Sequence, residues 1–283
     1  MKKILVPFDF SFSAREAYKF ALDIAVANSG EILVLKVIEP AIVYGNGMPG
    51  QPYSYPDPVL YSGELTEDLS KEFDEIKESF DKPLVPVYFS VESGDITDTI
   101  LRTIQEKEID LVVMGTTGAS GMKEFLIGSN TEKIVRFSSV PVLAVHKAQP
   151  LSAIKKIVFP TTFDLDQHAL VNGIKALQNS LNAELYLLYV STPASPFSDK
   201  EAMVNLENFA KFYSLHDYKL NIYHHHHEQH GILAFAKGLE HSIIAMATHG
   251  NKGITHLLFG SIAEDVVNHA KAQVWTYAIG HED

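Results

Sequence analysis

Short apolar runs alternate with stretches of helical period along the chain. Ile4–Val6, Ile32–Val37, Val85–Phe89, Leu111–Met114 and Val142–Val145 are rich in Val, Ile and Leu and read as buried strands. Between two of them Ile96, Ile100 and Ile104 recur at helical spacing, and late in the chain Ile262, Val266 and Ala270 share one helical face. Strands separated by helices need right-handed crossovers, which give a parallel sheet with helices on both faces.

The pattern occurs twice. KKILVPFDFS (2–11) has a counterpart in KKIVFPTTFD (155–164), and EILVLKVIEP (31–40) in ELYLLYVSTP (184–193), both at an offset of 153. DLVVMGTTG (110–118) matches SIIAMATHG (242–250) at an offset of 132. Over the 22 residues from Met114 and from Met246, nine positions are identical, including Gly118/Gly250, Gly128/Gly260 and Ser129/Ser261. Three matches in the same order indicate a duplicated unit. The expected organisation is two α/β domains, 1–148 and 154–283, joined around Pro150. The drop in offset means that the second copy is shorter between its second and fourth strands. There the first copy carries VYGNGMPGQPYSYPDPVLYSG (43–63), which reads either as a surface loop without a task or as a lid or oligomer contact anchored by tyrosines.

Composition narrows the function. The formal charge of −12 argues against a general nucleic-acid or anionic-membrane surface, so an anionic ligand must be held by backbone dipoles or a few side chains. Absence of cysteine excludes disulfides and thiolate metal sites and agrees with a reducing compartment. The start, MKKILVPFDF, does not read as a signal peptide, and no apolar run approaches a membrane span. A soluble, cytoplasmic protein is expected.

The glycine-rich stretch after Met114 supplies the candidate chemistry. Ligands of open α/β sheets bind beyond the carboxyl ends of strands. Met114 ends a strand, and Ser129 onward reads as a helix whose unpaired N–H groups attract a phosphate. Gly115 and Gly118 permit close backbone approach, Gly128 a tight entry to the helix, and Ser129 and Thr131 carry hydroxyls. This is neither a G-x-G-x-x-G fingerprint nor a P-loop.

G115-x2-G118-x9-G128-S129, between a strand and a helix, resembles the ATP-binding signature of the universal stress proteins. ILVPFDFS resembles that family's first strand and turn, and PVLAV (141–145) its last strand. The resemblance covers essentially the whole chain as two tandem copies. It implies two Rossmann-like, flavodoxin-like domains, each a five-stranded parallel sheet of order 3-2-1-4-5. It also implies that Asp9, beside Pro7, and the Val37 backbone contact the nucleoside. Met114, Gly115, Gly118, Gly128, Ser129, Thr131 and the Asn130 N–H would surround ribose and phosphates. Members with this signature hold ATP, or ADP or AMP, often with a divalent cation such as Mg²⁺, and pair domains through the last strand. A tandem member is expected to form that pair within one chain, which leaves open a homodimer of the two-domain chain.

The second copy departs from the signature. Thr162 replaces Asp9, Ala247 replaces Gly115 and Ala263 replaces Thr131, whereas Gly250, Gly260 and Ser261 persist and Val190 stands for Val37. The phosphate end is expected to survive better than the nucleoside end, with the first half nucleotide-competent and the second a degraded partner.

YHHHHEQHG (223–231) offers imidazoles to a metal. In a strand His224 and His226 share a face, and His230 or Glu228 would have to fold back to complete a site. The alternative is an exposed strand end. Lys123 within the glycine loop reads as an exposed lysine rather than a γ-phosphate ligand, and no nucleophile or general base is evident. The expected function is an adenine-nucleotide-binding stress-response sensor or regulator acting on an unidentified protein partner. The alternatives are a scaffold or chaperone-like protein independent of nucleotide, and a slow nucleotide hydrolase or phosphotransferase.

Overall fold

The computed structural model describes residues 1–39, 58–80, 85–116, 128–249 and 258–279. In the first half β1 (Lys3–Pro7) leads through α1 (Phe12–Asn28) to β2 (Glu31–Ile38), and α2 (Pro58–Ser79) leads to β3 (Val87–Ser93). Then α3 (Ile96–Glu106) leads to β4 (Leu111–Gly115), and α4 (Ser129–Phe137) to β5 (Val142–Val145). A 3₁₀ turn, Leu151–Ala153, opens the second half. It continues as β6 (Lys156–Pro160), α5 (His168–Leu181), β7 (Glu184–Ser191), α6 (Asp199–Phe212) and β8 (Tyr218–His224). Last come α7 (Glu228–Gly238), β9 (Ser242–His249), α8 (Leu258–His269) and β10 (Gln273–Ile279).

All ten strands lie in one sheet of order β3-β2-β1-β4-β5-β10-β9-β6-β7-β8. Each half is parallel and runs outward from its last strand in the same order, as the duplicated pattern predicts. The halves join where β10 pairs antiparallel with β5, with Val274 opposite Ala144, Trp275 opposite Leu143 and Thr276 opposite Val142.

The end of the 43–63 segment differs from the loop expected there. Pro58 opens α2, so residues 58–63 are helical, with proline in the first turn where its missing N–H costs nothing. Residues 43–57 lie outside the described residues.

The helices divide the core unequally. On one face, α1, α2, α5 and α6 cover a single apolar cluster that runs from Ile4 and Phe73 across the seam to Phe209. On the other face, α3 and α4 cover one cluster and α7 and α8 another. Trp275 is fully buried in the shared cluster beside the seam, and a Cβ on Gly173 of α5 would sit 2.8 Å from its ring. Side chains sew the seam further. Asn28 of α1 and Ser180 of α5 exchange hydrogen bonds of 2.9 and 3.0 Å, and Gln273 Nε2 donates to the Lys147 carbonyl at 3.0 Å.

Because one core serves both halves, Trp275→Ala removes packing from both. We expect a loss of about 3–5 kcal/mol and a single cooperative transition for the whole chain, measured by urea unfolding followed by circular dichroism. Two separated transitions in the parent chain would show that the halves are stabilised independently.

Candidate functional site

The first-half cleft forms at the carboxyl ends of β1, β2 and β4, where the strand order reverses. After Pro7 the chain turns sharply. Phe8 N still donates to Leu35 O at 2.8 Å, Phe10 adopts φ 65°, and Asp9 Oδ1 accepts from Ser11 N at 3.0 Å. That carboxylate-closed turn delivers Ser11 as the cap of α1, its hydroxyl accepting from Ala14 N at 3.2 Å.

On the other side, Gly128 N donates to Thr116 O at 2.9 Å and so ties the start of α4 to the end of β4. Thr131 is 4% exposed, and its hydroxyl donates to Gly115 O at 2.9 Å. Its proton is therefore committed to holding strand and helix together, and a phosphate would have to be met by other groups. Gly128 is the N-cap of α4 and supplies no capping side chain, so the first-turn N–H groups of Ser129 and Asn130, two residues that line the cleft, have no intrahelical partner.

These elements enclose a cavity of ≈ 280 Å³. Pro7, Asp9, Val37, Met114, Gly115, Gly128, Ser129, Asn130 and Thr131 all line it, so every first-half candidate within the described residues converges on one place. Gly118 lies outside them. Ser11, Ser13, Lys36, Ile96 and Ile100 also line the cleft. Lys36 is its one basic side chain among the described residues, with Nζ 5.8 Å from the Phe10 ring centroid. Ile96 and Ile100 announce themselves in the sequence only as the apolar face of a helix.

Gly115 is required for a reason different from ligand approach. A Cβ there would lie 2.7 Å from both the carbonyl carbon and the hydroxyl of Ser13, in the first turn of α1. In the second half α5 starts at His168, three residues later than Phe12 plus 153 would place it, and Ala247 is accommodated.

The second cleft is smaller, ≈ 50 Å³, although Thr162 and Val190 line it as expected. Behind its lining residue Tyr189 sits an aromatic group: Phe163 stacks on Tyr189 at 4.8 Å, and Phe197 packs edge-on to both. Glu228 occupies the position of Ile96 and puts a carboxyl in the cleft, and burial pushes its pKa above the ordinary glutamate value. The phosphate end has also changed. α8 begins at Leu258, so Gly260 and Ser261 lie inside the helix, whereas Gly128 and Ser129 stand at the start of theirs. At this end sequence identity persists while helix position differs. Gly250 lies outside the described residues.

The histidines do not share a strand face. β8 ends at His224, whose Nε2 lies 3.1 Å from Asp199 Oδ2, and His225 Nδ1 turns to the His227 backbone. His230 is on α7, with its ring 5.5 Å from that of His227. No group of three potential metal ligands is present among the described residues.

A family model described as the universal stress protein family matches residues 1–146 and again 153–277. Two universal stress proteins of Methanocaldococcus jannaschii are similar to about half of the chain. One is 30% identical over 151 residues, 52% of this chain and 82% of its own length; the other is 29% identical over 157 residues, 52% and 95%. The crystal structure of a universal stress protein from Archaeoglobus fulgidus matches the whole fold with a TM-score of 0.75, covering 98% of both chains at 20% identity.

Two outcomes follow from this geometry. Gly115→Ala should cost about 1–3 kcal/mol through overpacking against Ser13, whereas Ala247→Gly should cost only about 0.5–1 kcal/mol of backbone entropy; urea midpoints decide. For Glu228 the raised pKa means that the unfolded chain ionises first as pH rises. Its contribution to stability is present at acid pH and is lost between the ordinary carboxyl range and the raised value. Glu228→Gln should therefore flatten the pH dependence of the midpoint and stabilise the protein at neutral pH.

Proposed function

Because the chain belongs to the universal stress protein family, we propose that its first half binds an adenine nucleotide and that the protein acts as a ligand-responsive regulator in the stress response. The observation that carries this reading is the contrast between the clefts: ≈ 280 Å³ with a helix N-terminus at one end in the first half, ≈ 50 Å³ with a half-buried carboxyl in the second. Residues 1–148 are the ligand-binding domain in this account, and 154–283 the partner that reports its state.

The first cleft suits the ligand. Ile96, Ile100 and Val37 offer an apolar bed for a flat base, Asp9 and the serines offer polar groups for a ribose, and the start of α4 offers N–H groups for phosphate. The backbone supplies the local positive field, which a chain of charge −12 does not supply globally. ATP, ADP and AMP share this chemistry, and Mg²⁺ would enter with the phosphates.

A path for the response runs along α4. Its first turn faces the cleft, while Val135 O near its other end accepts a 3.0 Å hydrogen bond from Thr248 of β9 in the second half. A nucleotide that binds better to one placement of α4 shifts that placement's population, and only by its differential affinity. A cytoplasmic site of action, an unidentified protein partner and a homodimer complete the reading. No helix among the described residues is long and apolar enough to cross a membrane.

Titration calorimetry of stripped protein with ATP, with and without Mg²⁺, tests the proposal. We expect about one nucleotide per chain, weakened at least about tenfold by Asp9→Ala and by Ile96→Glu, and unchanged by Thr162→Ala. Two equivalent sites would overturn the asymmetry. No binding, with no nucleotide released on denaturation, would overturn the nucleotide reading in favour of a nucleotide-independent interaction protein.

A further inference from the structure

We propose that the second half carries a site for a small carboxylate with an apolar body, separate from both clefts. A cavity of ≈ 360 Å³ lies where α7 and α8 end and β9 and β10 begin. Because β10 is antiparallel to β5, this is the same edge of the sheet as the first cleft. The proposal does not rest on the nucleotide reading.

The duplication supplies an internal reference for what this space holds when it is only core. At the 132-residue offset, Ile104, Phe137 and Val140 of the first half correspond to Ala236, His269 and Ala272. Ile104 is 2% exposed and Ile109 5%, and both belong to the core under α3 and α4. The second half has thus exchanged large apolar side chains for small or basic ones, and the resulting space is still floored by Leu233, Ala236, Ile244 and Ala272.

The connecting turn has moved with them. After α3, Ile109 N donates to Ile104 O at 3.0 Å and Glu108 takes φ 52°, which tucks Ile109 under the sheet edge. After α7, Leu239 N donates to Ala236 O and the left-handed residue is His241, φ 58°, one position later. His241 is therefore turned outward, 3.0 Å from Gln149 of the linker, instead of filling the core.

The polar groups point to the head group. Lys237 and Lys271 line the cavity where the first half has Gln105 and Ser139, and because Glu240 lines it too, the two lysines outweigh a single carboxylate in a chain of charge −12. Ser242 lines the cavity at 2% exposure, and its hydroxyl donates only a long 3.5 Å hydrogen bond to Ala236 O. A bound carboxylate would give that hydroxyl a stronger acceptor and would be charge-paired by the lysines. The volume accommodates on the order of ten water-sized groups, which suits a medium-chain or aromatic carboxylate rather than a long lipid.

Lysines near helix ends also complement the helix dipole without any ligand, and the test separates the two roles. The full chain is titrated calorimetrically with octanoate, octanol and octylamine. We expect saturable octanoate binding at one per chain, with octanol and octylamine at least about tenfold weaker. Refilling with first-half residues, Ala236→Ile with Ala272→Val, should abolish it, as should Lys237→Gln with Lys271→Ser, which leaves the floor intact and guards against a misfolded refilled variant. Asp9→Ala should leave octanoate binding unchanged. Absence of saturable octanoate binding, equal affinity for octanol, or unchanged affinity in the lysine variant would overturn the proposal.

Discussion

The antiparallel pairing of β5 with β10 is the constraint on which the rest depends. Each half alone would end in an apolar last strand with an open edge, the arrangement that proteins avoid because it invites pairing with other chains. Joined, the two edges vanish into the middle of a ten-strand sheet, and Trp275 fills a core that neither half could close alone. The remaining edges, β3 and β8, lie at the far ends.

The same pairing determines where chemistry can occur. Strands of the two halves run in opposite directions, so their carboxyl ends emerge at opposite edges of the sheet. A duplicated gene therefore yields two clefts that face apart and are free to diverge. α4 spans the distance between the edges, starting at the first cleft and ending against Thr248 at the carboxyl end of β9. The connection needs no particular side chain from α4, because the Thr248 hydroxyl donates to its main-chain carbonyl, but it does need Thr248.

Much of this was legible in the sequence, and the exceptions share a cause. Strands β1, β2, β4 and β5 follow from runs of Val, Ile and Leu, and the symmetry of the sheet from three repeated stretches in order. That the first-half candidates line one cleft was legible because they cluster at strand ends and at the start of one helix. What escaped was set by the placement of one helix against another. The requirement for Gly115 arises from Ser13, about a hundred residues away in sequence, and shows no local signature. Gly260 and Ser261 keep their identity while the start of α8 slides past them. The early start of α2 at Pro58 was hidden by a tyrosine- and proline-rich segment whose composition reads as loop.

Helix position, more than residue identity, explains why the halves differ in kind. A helix N-terminus attracts an anion only where its first turn faces the ligand, because the effect fades within one turn. A start three residues earlier therefore takes Gly260 and Ser261 away from the helix terminus without replacing the serine. The reverse has happened at the other end of α7 and α8, where retained helices enclose exchanged side chains and a core position has become a cavity. Both changes keep the parts that the seam needs, β9, β10 and Trp275, and alter only the ends of the helices. A shared core tolerates divergence at the helix ends because its stability resides in strands that both halves hold in common.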